Sequence, residues 1–275
     1  MVRPKDKRVE ALYLIEKYQT QNTRISRLLG LPISTLSYEP RPRGDEALRE
    51  KISALAACHR RFGHPRLFVL LKRDMINVNH KRSRRVYRDL GLQIGRRKRK
   101  KLGSYPRLPA TKAAMSNEIW AIDFMFDYIE SGRRLKVFTV VDEFSKWSPG
   151  LLVDHSIKGH DVVAYLDHLA AGSYPKIIRV DQGTEFTSRA MLDWSYRHKI
   201  QLEFTKVRKP NQLIESFNSR VRDECLNEHV FFSLSDARAK IDDWHWQYNN
   251  FNPHSALGMK TPAEFAKERE IVLAS

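Results

Sequence analysis

Three carboxylates stand out by position rather than by type. Asp123 lies inside "IWAIDFMFDYI", where both alternating faces are largely apolar; Asp181 closes the short apolar run "KIIRV"; and Glu215 sits between Ile214 and Phe217 in "KPNQLIESFNSRVRDE". Acids gathered in apolar surroundings raise one another's cost of ionising unless something neutralises them. A divalent cation does so well, and oxygen-only donors suit Mg²⁺ or Mn²⁺, which keep several waters and take phosphate oxygens as further ligands. Two such ions can activate a water or a 3′-hydroxyl and stabilise the leaving oxygen of an in-line phosphoryl displacement. Other acids fit plainer roles: Asp127 lies nearer the end of the same stretch as Asp123, and Asp142 and Glu185 sit at turn-like positions, so these read as structural or supporting.

A cluster of this kind needs a rigid frame. From Asn117 the sequence alternates as strands do: "IWAIDFMFDYI" reads as a central strand because neither face is polar, "RLKVFTVVDEFS" as a second after a turn at Ser131-Gly132, and "WSPGLLV" as a third. Helical spacing of Val162, Leu166 and Leu169 follows, then the strand "KIIRV", a helix through "SRAMLDWSYRHK", the short strand "QLEFT" and the helix of Glu215. A meander continued by alternating helices and strands is an α/β arrangement, with Asp181 at a strand's carboxyl end, where such sheets place their sites. The tail shows one more amphipathic helix, "SDARAKIDDWHWQY", and an irregular "NNFNPHSALGMKTPAEFA". On the Glu215 helix, Asn218 and Arg222 lie three and seven residues on, near the glutamate's face, where they could hold a phosphate or an unpaired base.

Charge divides the chain of 275 residues unevenly. Residues 1–112 carry 29 Lys and Arg against 9 Asp and Glu, a net of +20, whereas residues 113–275 carry 20 against 23, a net of −3. A polyanion-binding front half joined to a near-neutral back half with another task follows from that asymmetry. In the front, helices over about 9–18 and 23–29 lead to a Gly30-Leu31-Pro32 break and a short helix in "ISTLSYEP". Ile25, Leu28, Leu29, Leu31, Ile33 and Leu36 bracket that turn as in a helix-turn-helix, with Ser34, Thr35 and Ser37 outward. After "RPRG" comes a second three-helix unit, in which Leu48, Ile52, Leu67, Leu70, Leu71, Val86 and Leu90 face inward, Asn79 caps the last helix and Gly91 ends it. That helix keeps Lys81, Arg82, Arg85 and Arg88 for phosphates or base edges, and Arg96, Arg97, Lys98 and Arg99 follow as a tether suited to DNA. Domains are expected over 1–40, 41–103 and 116–270, with a linker at 104–115. Cys58, His59 and His64 are too few for a structural zinc site, and no apolar run is long enough for a membrane span.

A basic front half beside metal-bound carboxylates points to the breaking and joining of phosphodiesters. The phrases "AIDFM", "VVDEFSKW", "DQGTEF", "IESFNSRVRDECLN" and "YNNFNPHSALGMKTPAEF", with "RRFGHPRL" and "VNHKRSRRVYRDLGL" in the front, resemble the OrfB-type catalytic subunit of the insertion-sequence three family of bacterial transposases, within the retroviral-integrase core superfamily. The resemblance implies an α/β fold: an RNase H-like integrase catalytic core, a mixed five-stranded sheet flanked by helices, preceded by all-α helix-turn-helix DNA-binding units. It implies a D-D-E triad of Asp123, Asp181 and Glu215 holding two Mg²⁺ or Mn²⁺ ions for cleavage and strand transfer at the element's ends. Expected partners are DNA, both terminal inverted repeats and target, further copies of the chain, and a separately encoded OrfA-type helix-turn-helix and leucine-zipper protein; the expected place is the bacterial cytoplasm, at the nucleoid. The chain departs from the family at three points: 215 − 181 − 1 = 33 residues separate Asp181 from Glu215, two fewer than usual, with the shortage in "KPNQLIE"; Gln182-Gly183-Thr184 replaces the common Asn-Gly-Pro; and Asn252 stands where Arg is common. Two other readings fit parts of this pattern, a DNA-binding relic without activity and an RNase H-like nuclease that hydrolyses without joining.

Overall fold

The computed structural model describes residues 4–38, 44–95, 112–205 and 212–274, with side chains from residue 6 to residue 269 of those spans. The chain divides into two compact units, Met1–Ala47 and Leu48–Ser275.

The first unit holds α1 (Pro4–Tyr18), α2 (Asn22–Leu29) and α3 (Ile33–Leu36) around Ala11, Ile25, Leu31 and Leu36. Gly30 ends α2 in the left-handed region at φ 61°, its N–H donating to the Ser26 carbonyl, which is the tight break its lack of a Cβ permits. Thr35 is half-buried rather than outward as expected, and of the apolar residues that bracket the turn Leu28 and Ile33 are 71% and 48% exposed. α3 is a single turn, in which the Ser37 hydroxyl donates to the Ile33 carbonyl at 2.9 Å and competes with continuation of the helix.

The second unit opens with α4 (Glu46–Cys58), α5 (His64–Arg73) and α6 (His80–Asp89). Leu48, Ile52, Leu67, Leu70, Leu71, Val86 and Tyr87 close their core. Asn79 caps α6 by accepting from the Lys81 N–H at 2.8 Å, and Gly91 follows its end at φ 70°. His64 is buried 3.1 Å from the Ser83 hydroxyl and packs against His80 and Tyr87.

The remainder is one mixed sheet of β1 (Ile119–Tyr128), β2 (Arg134–Asp142), β3 (Gly150–Asp154), β4 (Ile177–Val180) and β5 (Gln201–Phe204), in the order β3-β2-β1-β4-β5. The first three strands are antiparallel, and β4 and β5 run parallel to β1. β1 is central, which is why alternate residues on both of its faces are apolar. Its Trp120, Ile122 and Phe124 pack with α7 (Gly159–Ala170) and α8 (Arg189–Arg197) through Val162, Leu166, Met191 and Trp194. Its Ala121 and Met125 pack with α9 (Gln212–Glu224) and α10 (Leu234–Asn250) through Ile214, Phe217, Val221, Ile241 and Trp244. The tail is less irregular than the sequence suggests, for Pro262–Ala274 form α11. Thr261 and Glu264 cap its start reciprocally, the Thr261 N–H donating to the Glu264 carboxylate at 2.7 Å and the Glu264 N–H to the Thr261 hydroxyl at 3.1 Å.

Candidate active site

Asp123 occupies the middle of β1, on the face that α9 covers. Its Oδ1 accepts from the Phe124 N–H at 2.8 Å, and its Oδ2 accepts from Nδ2 of Asn218 at 2.8 Å. Asn218 is in turn held by the fully buried Thr139, which pairs with Asp123 across β2 and whose hydroxyl lies 3.0 Å from the Asn218 Oδ1. Asn218 is thus no solvent-facing ligand for a phosphate or base: it is 9% exposed, and its amide orients Asp123. This role needs contact across 95 residues of sequence, which no local pattern reveals.

Asp181 follows β4 directly. β1 and β4 pair in parallel with Ala121 opposite Arg179, so Asp123 and Asp181 each stand two residues beyond the last paired position, on the same end of the two neighbouring strands. Asp181 is exposed, and its Oδ1 accepts from the Gly183 N–H at 2.9 Å, tightening the turn that leaves the strand. Glu215 lies in the first turn of α9, also exposed, while Ile214, Phe217 and Val221 form one buried stripe at 4%, 2% and 0% exposure. The helix therefore keeps the face expected of it; residues 209–211 of the shortened stretch lie outside the described residues.

Electrostatics tie the three together. Burial pushes the Asp123 carboxyl up to about 6, and the charges of Asp181 and then Glu215 push the same way, against the bonds from Phe124 and Asn218. The donor chemistry, oxygen only and mutually repelling, suits a hard divalent cation. Among the described residues, no three acidic, histidine or cysteine side chains are gathered closely enough to close around one ion.

Around this centre, Arg222 donates to the Phe126 carbonyl at 2.9 Å, which places it further along β1 than Asp123. Glu185 is ion-paired with the buried Lys136 of β2, which also donates to the Ile157 carbonyl at 2.9 Å. Asp142 is buried and caps a turn, accepting from the Ser145 N–H at 2.7 Å and the Asn117 N–H at 2.8 Å. On α6, Lys81, Arg82 and Arg88 are exposed and Arg85 half-buried; Arg84, not among the expected contacts, is exposed beside them. Arg96, Arg97, Lys98 and Arg99 lie outside the described residues. α5 and the turn before it are bolted to the sheet domain: Arg66 pairs with Glu224 at the end of α9 at 2.7 Å, Arg61 of the preceding turn with Glu228 at 3.3 Å, and Arg73 donates to the Phe251 carbonyl at 2.7 Å.

A mixed sheet of this order, helices on both faces, with an acid at mid-β1 and another after β4, defines the class of integrase-type catalytic cores. Family comparison agrees: an integrase core domain matches residues 113–210, a second integrase core domain residues 198–262, and an HTH-like domain residues 43–101. The chain is 44% identical over 255 residues to a 31.7 kDa protein of insertion element IS407 from Burkholderia multivorans, covering 91% of this chain and 92% of that protein. It is 40% identical over 267 residues to a 39.2 kDa protein of insertion element IS476 from Xanthomonas euvesicatoria, covering 96% and 77%. The fold resembles a chain of the simian T-cell lymphotropic virus intasome, with TM-score 0.51 and 16% identity over 78% of this chain and 74% of that one. The chain belongs to the insertion-sequence three family of transposases, whose integrase core serves DNA transposition. No described helix is long and apolar enough to cross a membrane.

Proposed function

We propose that the chain cleaves the ends of an insertion element and joins them to target DNA, with Asp123, Asp181 and Glu215 as the catalytic carboxylates. The observation that carries this reading is the half-buried Asp123, held by Asn218 and Phe124 and raised to about 6 partly by the two other acids. A half-buried acid whose carboxyl is raised by burial and by two neighbouring acids is characteristic of a functional site. The three would hold two Mg²⁺ or Mn²⁺ ions, which when bound supply an activated water or 3′-hydroxyl and stabilise the departing oxygen. The chain's own contribution is to fix one carboxylate rigidly on β1, to present the second from a turn tightened by Gly183, and to bring the third on a helix packed by Phe217 and Val221. Both exposed acids must draw in towards Asp123 when the ions are held.

The basic residues Lys81, Arg82, Arg85 and Arg88 of α6, with Arg96, Arg97, Lys98 and Arg99, supply the grip on the terminal repeats, and Arg222 sits beside the site. Two ends must be brought together, so the working form contains more than one copy, alongside an OrfA-type partner. The test is incubation of labelled end DNA with the purified chain and Mg²⁺. Joined products that vanish in Glu215→Gln support the proposal. Cleavage without joining would replace it with a simple nuclease, and retained binding without chemistry with an inactive relic.

A further inference from the structure

A cavity of about 470 Å³ opens on the sheet face opposite α9, and the catalytic carboxylates leave it unused. Its walls include Arg134, Lys136, His155, Lys158, Glu185 and Ser188. The charge of Lys136 is spent inside the protein, on Glu185, on the Ile157 carbonyl and over the Phe124 ring at 4.0 Å. Arg134 and Lys158 are different: both are exposed, and among the described residues neither is paired with a carboxylate. The Arg134 guanidinium lies 3.7 Å over the Phe126 ring, which holds its planar fork in place at little further entropic cost. His155 is half-buried between them, its Nδ1 2.8 Å from the Arg134 carbonyl. Excess positive charge on a cavity of this size suits a sugar-phosphate unit rather than an apolar ligand.

The cavity's position says which phosphate. Phe126 pairs with Lys136 across β2 and stands three residues beyond Asp123, about 10 Å along the strand or roughly three base steps of about 3.4 Å, with its side chain on the other face of the sheet, so a strand that meets both passes round the carboxyl end of β1. The Lys136–Glu185 pair ties the segment that follows Asp181 to β2, so the cavity wall and Asp181 belong to one short stretch of chain. We propose that this cavity seats a backbone phosphate of the DNA strand that crosses the site, with Arg134 and Lys158 as its contacts. The proposal rests on Asp123, Asp181 and Glu215 being the reacting centre, since that fixes which strand passes by.

The test is binding without chemistry: fluorescence anisotropy of a labelled DNA duplex against the full chain in EDTA, over a range of salt. Each lost phosphate contact lowers the slope of log K against log salt by about 0.9, so Arg134→Gln/Lys158→Gln is expected to lower it by nearly 2 and to weaken binding on the order of 10-fold or more at about 0.1 M salt. Lys158→Arg should keep the wild-type slope. Lys176→Gln/Lys199→Gln removes two exposed charges at the other end of β4 and β5 and should change the slope far less. An unchanged slope in the first pair, or an equal loss in the control pair, overturns the proposal. So does competition by inorganic phosphate at millimolar concentration that Arg134→Gln/Lys158→Gln abolishes, since that assigns the cavity to a small free phosphate. No joining is read in this assay, so an unchanged slope beside a Glu215→Gln variant that has lost joining refutes the phosphate seat alone and leaves the catalytic reading standing.

Discussion

Replacing Asp123 by Asn should make the metal-free protein more stable at neutral pH. Burial, then Asp181 and Glu215, raise its carboxyl from 3.8 to about 6, so at pH 7 the folded protein carries a charge it holds less readily than the unfolded chain does. At about 1.4 kcal/mol per pH unit this gap corresponds to roughly 3 kcal/mol, and partial solvent access to the carboxylate brings the expected gain to about 1–3 kcal/mol. The sign follows from proton binding: a carboxyl raised on folding destabilises above its folded value of about 6, and the cost fades as pH falls to the unfolded value of 3.8. The hydrogen bonds survive the change. The introduced asparagine can keep the Phe124 N–H on its oxygen, and an amide flip of Asn218 turns an acceptor to the new NH₂ and a donor to the Thr139 hydroxyl. Urea unfolding in EDTA at pH 7 and at pH 4 measures the effect: the Asp123→Asn advantage should be present at pH 7 and lost at pH 4. Equal stability of variant and wild type at pH 7, or a gain that does not change with pH, would refute the reasoning.

Two further outcomes follow from packing. Arg66→Met leaves Glu224, only 11% exposed, without its 2.7 Å partner; the loss should be about 2 kcal/mol rather than the full 3–5 kcal/mol of a broken buried pair, because the Arg220 charge remains close, and Arg66→Met/Glu224→Met should recover most of it in urea titrations. Gly159→Ala would set a Cβ 2.3 Å from the Ser188 hydroxyl and 2.9 Å from its Cβ, so thermal unfolding should report a loss of about 1–3 kcal/mol, partly restored by adding Ser188→Gly.

What could be read before folding was considered is what depends on near neighbours. An apolar strand on both faces had to be central, and it is; an acid within it had to be costly, and Asp123 is. The caps at Asn79 and Gly91 and the stripe Ile214, Phe217, Val221 are likewise local. α11 was equally legible, since Thr261-Pro262-Ala263-Glu264 is a capping box with proline at the first helical position, and the weakly amphipathic residues after it concealed the signal. Illegible features join distant residues: Asn218 with Asp123, Lys136 with Glu185, and Arg66 with Glu224 are pairs that only the folded sheet and its helices create. In the first unit the apolar spacing around Gly30 is the same whether Leu28 and Ile33 face a core or solvent, so it did not fix which of them are buried.

The bolts between α5 and the sheet domain have a metrical consequence. Arg66 grips the last turn of the helix whose first turn carries Glu215, and Arg73 reaches Phe251, which packs into the α4–α6 core. α6 and the carboxylates therefore belong to one compact unit, and under the proposed function the place where α6 holds the duplex would set where the strand meets the acids. On that reading the protein works as a caliper whose span is cast in the fold, and an element's ends would have to match that span to be cut in register.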